Sequence, residues 1–394
     1  MIEEGNIGKS ASPEMGWTDK IPTSKGIFRK GIKKPSQTTS VRILIIIALL
    51  ITTSILLGIS TREVRPLMGS IYLIFGFAVQ RASFCSASLI SSVVLSKDIR
   101  GITAILIAVL TAMLGFGVLS SLGLIKVYPS KISVVPAMVG GLFYGIGMVL
   151  SGGCVKGTLF KATEGRWPSI LAVVGILVGI IGATSSWGKT LIAYLAKISW
   201  NWNPPPNLVA SESASFSYLL TGIALIGLAA ISLGCRRKIL GFRLSGTLSI
   251  NNRWSLYIVA MIIGLLGWVA FVIGPLVDRN YPLGASHIAT SLLSLGFNGE
   301  IRTAGLLAST FILGSILSAW IRGDIRWRSA PNGMLILAFI GGLLVGMGAI
   351  IAQGCFVGQV LSGWALIATQ ALIFGIVMIF TNWVTTFFYL RGWR

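Results

Sequence analysis

The sequence predicts an all-α polytopic membrane protein made of two related halves, in which spanning helices alternate with four broken segments. Three observations carry that expectation. Of 394 residues, 54% are apolar and only 11% are charged, with a mean hydropathy of +0.85; a soluble chain carries roughly a quarter of charged residues. Many apolar stretches are long enough to cross a hydrocarbon core about 30 Å thick. A Gly-Cys motif also recurs half a chain apart, each time inside apolar sequence.

Residues 1–40 read as a basic, disordered tail bearing Lys9, Lys20, Lys25, Arg29, Lys30, Lys33 and Lys34, a charge pattern that favours the cytoplasmic side. Their opening carries acids and no early apolar core, so it does not read as a secretory signal. Residues 41–60, VRILIIIALLITTSILLGIS, make one clean span. Further apolar segments lie at 101–124, 168–184, 214–234, 255–275, 303–320 and 365–388. Between them, 67–96, 134–165, 276–297 and 333–363 have apolar ends but carry Gly, Ser, Cys or charge in the middle. The expected organisation is a first transmembrane half at 41–234, a basic loop at 235–254 and a second transmembrane half at 255–394.

The stretch 199–213 is polar and proline-rich, whereas 235–254 carries Arg236, Arg237, Lys238, Arg243 and Arg253 without an acid. The positive-inside rule puts the first outside and the second in the cytoplasm, together with the tail and the terminal Arg391 and Arg394. The formal charge of +21, from 32 Lys/Arg and 11 Asp/Glu, fits basic loops touching anionic lipid. No compact basic domain with interleaved aromatics stands apart, which argues against nucleic-acid binding. Cys85, Cys154, Cys235 and Cys355 form no CxxC pair, and the single histidine, His287, reads as a satisfied polar group. Neither a metal centre nor a disulfide framework is expected, and no cofactor.

The repeat is the strongest internal signal. Aligning GGLFYGIGMVLSGGCVKG (140–157) with GGLLVGMGAIIAQGCFVG (341–358) gives eight identities in eighteen positions at an offset of 201. The identities include Gly153 and Gly354, Cys154 and Cys355, and Gly157 and Gly358. Duplicated halves are a common transporter design, with the substrate at their interface. The same offset relates Cys85, in GFAVQRASFCSAS, to Ser286, in YPLGASHIA, though these two match weakly. A helix should end near Gly152-Gly153 and near Gly354, since irregular backbone at membrane depth survives only inside protein or along water. A half-helix starting after each cysteine would aim free N–H groups at the thiol, a geometry that binds anions.

Arg81, Lys156, Lys161 and Arg166 flank these breaks. A charge at membrane depth costs at least ~2.5 kcal/mol, so these side chains are expected to face water, a vestibule or the interface, as a positive funnel or as snorkelling groups. Ser151 and Gln353 read either as lining donors or as simple caps. Cys235, beside Arg236 at a helix end, reads as structural.

These motifs resemble the YeeE/YedE family of sulfur-transport membrane proteins. The resemblance rests on the paired GGLxxGxGxxxxxGCxxG pattern at 140–157 and 341–358, GFxxxRxxFCSAS at 76–88 and PLGAS at 282–286. It implies a pseudo-symmetric, hourglass-like bundle with re-entrant half-helices in the cell inner membrane. It implies uptake of thiosulfate, not enzymatic catalysis, past three cysteines that match Cys85, Cys154 and Cys355. Arg81, Ser151, Lys156, Ser286 and Gln353 would then line the path or attract the anion. Family members work with a small TusA-like sulfurtransferase on the cytoplasmic side. A selenium-handling branch, or a membrane sulfurtransferase using a cysteine persulfide, are the alternatives.

Overall fold

A computed structural model of the chain describes residues 65–121, 134–197, 214–236, 254–273 and 299–391. The tail, the 41–60 span, Ser286, His287 and the 276–297 segment lie outside them. The described residues are helical, with a lone bridge between Arg166 and Arg328. In chain order the helices are α1 (Arg65–Arg81), α2 (Ser86–Ser96), α3 (Arg100–Ser121), α4 (Val134–Leu150), α5 (Val155–Thr163), α6 (Trp167–Thr184) and α7 (Ser186–Lys197). They continue with α8 (Ala214–Arg236), α9 (Leu256–Ile273), α10 (Gly299–Arg322), α11 (Asn332–Ile351), a π-helical segment at Val357–Gly363, and α12 (Thr369–Arg391).

Among the described residues seven segments are long and apolar enough to span a membrane, and the α1–α2 and α4–α5 pairs each count as one. The protein is thus an all-α, multi-pass membrane protein. The expected breaks fall where the sequence puts them: α4 stops at Leu150, just before Gly152-Gly153, and α11 stops at Ile351, just before Gly354. One element has no counterpart in the sequence reading. The short α7 keeps Leu191 and Tyr194 exposed, and its length of 12 residues fits a helix lying on a membrane surface better than one crossing it.

Missing side chains set the packing. In lipid the apolar drive between helices is weak, so close backbone approach at small residues holds them together. On α4 and α11, Gly140 faces Ala352 and Gly348, while Gly147 faces Gly341 and Val345, so the two helices run antiparallel. Gly342 and Gly346 of α11 lie against the carbonyls of Ala172 and Ile176 on α6. On α4, Gly141 and Gly145, which precede them by 201 residues, lie against the carbonyls of Phe374 and Met378 on α12. Each repeat motif therefore packs on the other motif and on one further helix. The three described breaks meet in the middle of that arrangement.

Candidate functional site

All three breaks share one backbone design. After α1, Ser83 adopts a left-handed φ of 51°; after α4, Gly152 has φ 68°; after α11, Gln353 has φ 57°. Each lies two residues before a cysteine. The matching turn bonds are Ser83 N–H to Gln80 O (3.0 Å), Gly152 N–H to Val149 O (3.3 Å) and Gln353 N–H to Ile350 O (3.0 Å), and the first and third breaks add Phe84 N–H to Val79 O and Gly354 N–H to Ala349 O, each at 2.8 Å. A left-handed residue past a helix end is an ordinary stop when it is glycine. At Ser83 and Gln353 it carries a steric cost that surrounding structure must hold in place.

Each cysteine then opens the next element. Cys85 is the extended N-cap of α2 and Cys154 that of α5, and neither side chain makes a capping hydrogen bond. Cys355 leads into Phe356 and the π-helical segment. The thiols of Cys85, Cys154 and Cys355 are reduced and 1% exposed. Cys85 makes a long S–H···O contact of 3.9 Å to Gly152 O, and Lys161 Nζ donates to the same carbonyl at 2.5 Å.

The glycine of the GCxxG motif brings two thiols together. A Cβ placed on Gly157 would sit 2.8 Å from Cys85 Sγ and 3.5 Å from Cys154 Sγ. Gly358, its repeat partner, faces nothing within 4 Å. Tyr144, fully buried on α4, links the second break to the third. Its hydroxyl accepts the Phe356 N–H at 3.3 Å, one residue past Cys355.

The other sequence candidates divide clearly. Ser151 is a tie inside its break, donating to Gly147 O at 2.7 Å and to Gly153 O at 2.8 Å. Gln353 is exposed; the polar groups holding that break are Gln359 and Gln370, which donate to Ala352 O at 2.8 and 3.1 Å. Arg81 and Lys156 differ most from expectation. Neither faces water, a vestibule or the interface: Arg81 is 0% and Lys156 1% exposed. The guanidinium nitrogens of Arg81 and the Nζ of Lys156 have no hydrogen-bond partner. Arg81 lies over the Phe77 ring, 5.7 Å from its centroid.

The nearby acids are already engaged. Glu164 accepts from Gln80 at 3.3 Å and pairs with Arg166 at 3.1 Å. Asp324 pairs with Arg322 at 2.7 Å, and Arg322 also donates to the carbonyls of Gln80 and Arg81, each at 3.3 Å. No cluster of His, Cys, Asp and Glu suited to a metal occurs among the described residues.

Among the described residues the site thus gathers three buried thiols and two buried cations without a hydrogen-bond partner. In comparison with known proteins, the profile of the sulphur transport family matches residues 81–384. The chain belongs to the sulphur transport family. This sulphur transport protein is 28% identical over 330 residues to a thiosulfate transporter TsuA of Spirochaeta thermophila, covering 81% of this chain and 97% of that one. It is 26% identical over 332 residues to a thiosulfate transporter TsuA of Escherichia coli, covering 82% and 94%. A shorter match, 31% over 106 residues and 26% of each chain, links it to a probable transporter YedE of Escherichia coli. These relatives are named as transporters, and the family is one of transport rather than catalysis.

The aromatic residues around Lys156 are what sequence reasoning missed. Phe75, Phe84 and Phe356 are unremarkable in an apolar chain, and no spacing rule gathers them. One signal was available: Phe84 and Phe356 adjoin Cys85 and Cys355.

Proposed function

We propose that this chain carries intact thiosulfate inward across the cell inner membrane, past Cys85, Cys154 and Cys355. The observation that carries the reading is the meeting of three breaks of one design, each ending in a buried thiol. Close relatives over nearly their full length are named thiosulfate transporters, which supports this substrate over selenium species. The YedE match covers only a quarter of either chain.

The chemistry suits the ion. Thiosulfate is a dianion with a soft, polarizable terminal sulfur. A thiol donates a weak S–H···S hydrogen bond to that sulfur, and first-turn N–H groups meet the charge. Sulfate offers no soft end, so thiols discriminate against it. Weak contacts also let the ion leave again. Arg81 and Lys156 supply the positive potential; Ser151, Gly153 and Gly354 shape the breaks, and Gly157 and Gly358 leave room beside them. Ser286 would complete the set from outside the described residues. Gln353 is assigned to the mouth rather than to the thiols, because its side chain is exposed.

The two halves, 41–234 and 255–394, are read as pseudo-symmetric, with re-entrant half-helices forming an hourglass. The reciprocal contacts of Gly141 with Phe374 and of Gly342 with Ala172 support that reading. The basic tail at 1–40 and the loop at 235–254 face the cytoplasm under it. There a TusA-like sulfurtransferase would receive the product.

Uptake of radiolabelled thiosulfate by Cys85→Ala, Cys154→Ala and Cys355→Ala variants tests the proposal. Each is expected to lose most uptake, and Cys235→Ala none. Wild-type rates in the Cys154 and Cys355 variants would refute the path. Mass spectrometry after thiosulfate exposure separates transport from sulfurtransfer, since a persulfide required for turnover would mark the latter.

A further inference from the structure

The ammonium of Lys156 is enclosed by three phenylalanine rings. Its Nζ lies 4.7 Å from the centroid of Phe84, 5.7 Å from that of Phe75 and 5.7 Å from that of Phe356. Phe75 and Phe84 belong to the first broken segment, Lys156 to the second and Phe356 to the third. Phe84 and Phe356 directly adjoin Cys85 and Cys355, and Lys156 follows Cys154 by two residues, so a thiol-bearing stretch of each break borders the box. All three N–H donors of Lys156 lack a hydrogen-bond acceptor, and the side chain is 1% exposed.

That surrounding is costly for a cation on its own. Ring faces attract an ammonium, yet they accept no hydrogen bond and offset only part of the desolvation. Among the described residues the acids near the breaks are already held, Glu164 by Gln80 and Arg166, and Asp324 by Arg322. An acceptor brought in from outside would complete the hydrogen bonding of the ammonium.

We infer that Lys156 and its phenylalanine box form one shared anion seat on which the three thiols converge, so that a single thiosulfate meets the ammonium and the S–H groups together. This deepens the transport reading and rests on it. The rings donate no hydrogen bond, so an anion that enters gives up part of its shell and relies on the ammonium and the S–H groups instead. Sulfate, strongly hydrated and without a soft sulfur for the thiols, is turned away. A soft, weakly hydrated monoanion such as thiocyanate fits.

The test uses purified full-length protein, wild type and Lys156→Met, an apolar replacement of similar length. Thermal stabilisation by thiosulfate, thiocyanate and sulfate is read in detergent, and thiosulfate uptake in proteoliposomes. Wild type is expected to be stabilised by thiosulfate and thiocyanate but not by sulfate. In Lys156→Met, removal of a desolvated charge partner should raise the apparent Kd and KM about a hundred-fold, with helicity and elution volume unchanged. Should that variant fail to fold, wild type still decides: thiocyanate must compete with thiosulfate uptake and sulfate must not. Sulfate competing as well as thiocyanate overturns the seat. So does a folded Lys156→Met that binds both anions as wild type does, and in that case the transport reading stands. Loss of thiocyanate binding in Lys156→Met, in a protein that does not move thiosulfate, upholds the seat and overturns the transport reading.

Discussion

Gly157→Ala adds one methyl to the gap between two thiols, and the structure says how badly it fits. The new Cβ would lie 2.8 Å from Cys85 Sγ, with Cys154 Sγ at 3.5 Å. Ordinary contact distances between such atoms are about 3.5–4.0 Å, so the Cys85 sulfur must retreat by roughly 1 Å. It has little room: Cys85 is 1% exposed and its sulfur reaches back to Gly152 O. Overpacking of this kind costs about 1–3 kcal/mol, while alanine gains about 1 kcal/mol over glycine within α5. The net effect on stability is therefore small, about 0–2 kcal/mol destabilising. The effect on function is not small, because a 1 Å displacement of reacting or binding groups costs on the order of a hundred-fold. The control is Gly358→Ala, at the repeat-related position, where nothing lies within 4 Å. Radiolabelled uptake and thermal unfolding should find Gly157→Ala folded but at least ten-fold slower, and Gly358→Ala like wild type. Equal uptake in both variants, whether high or low, would refute the argument that Gly157 exists to let the thiols meet.

Three further outcomes are expected. Gly342→Ala would bring a Cβ to 2.1 Å from Ala172 O, a backbone atom that cannot step aside, whereas Gly182 has nothing within 4 Å; a large fall in detergent melting temperature is predicted for the first and none for Gly182→Ala. Arg81→Met removes a permanently charged, unpartnered buried group, so thermal stability should hold or rise while uptake falls; a steep loss of stability with normal uptake would make Arg81 structural. Ser91→Ala deletes a 2.9 Å bond to Asn382 in the α2–α12 contact, and such bonds in membranes average about 0.6 kcal/mol. Equilibrium unfolding should therefore change little and uptake not at all.

Within the described residues the spans and the breaks were legible because both are local. Apolar length marks a crossing helix, and GGC or QGC inside an apolar run marks a stop. The recurrence of Cys154 and Cys355 at one offset singled out two thiols among four. Cys85 was the weakest member on sequence. Its kinship shows in backbone geometry, through the left-handed Ser83 two residues before it, and a serine in that position announces nothing in the sequence. The expectation for Arg81 and Lys156 failed for a physical reason. Insertion cost argues that a charge will find water, but it cannot see a phenylalanine box assembled from three distant segments.

By itself, then, the sequence determined that this chain is a helical membrane protein with a duplicated, cysteine-bearing break, since hydropathy and repetition are properties of the chain alone. Only the tertiary structure decided which residues those breaks bring together. Gly157 and Gly358 are identical in motif, yet one separates two sulfurs and the other faces open space. The difference arises because the tertiary fold sets Cys85 of the first break and Cys154 of the second beside Gly157 and leaves Gly358 without a neighbour, and such distances between segments are written in no single segment.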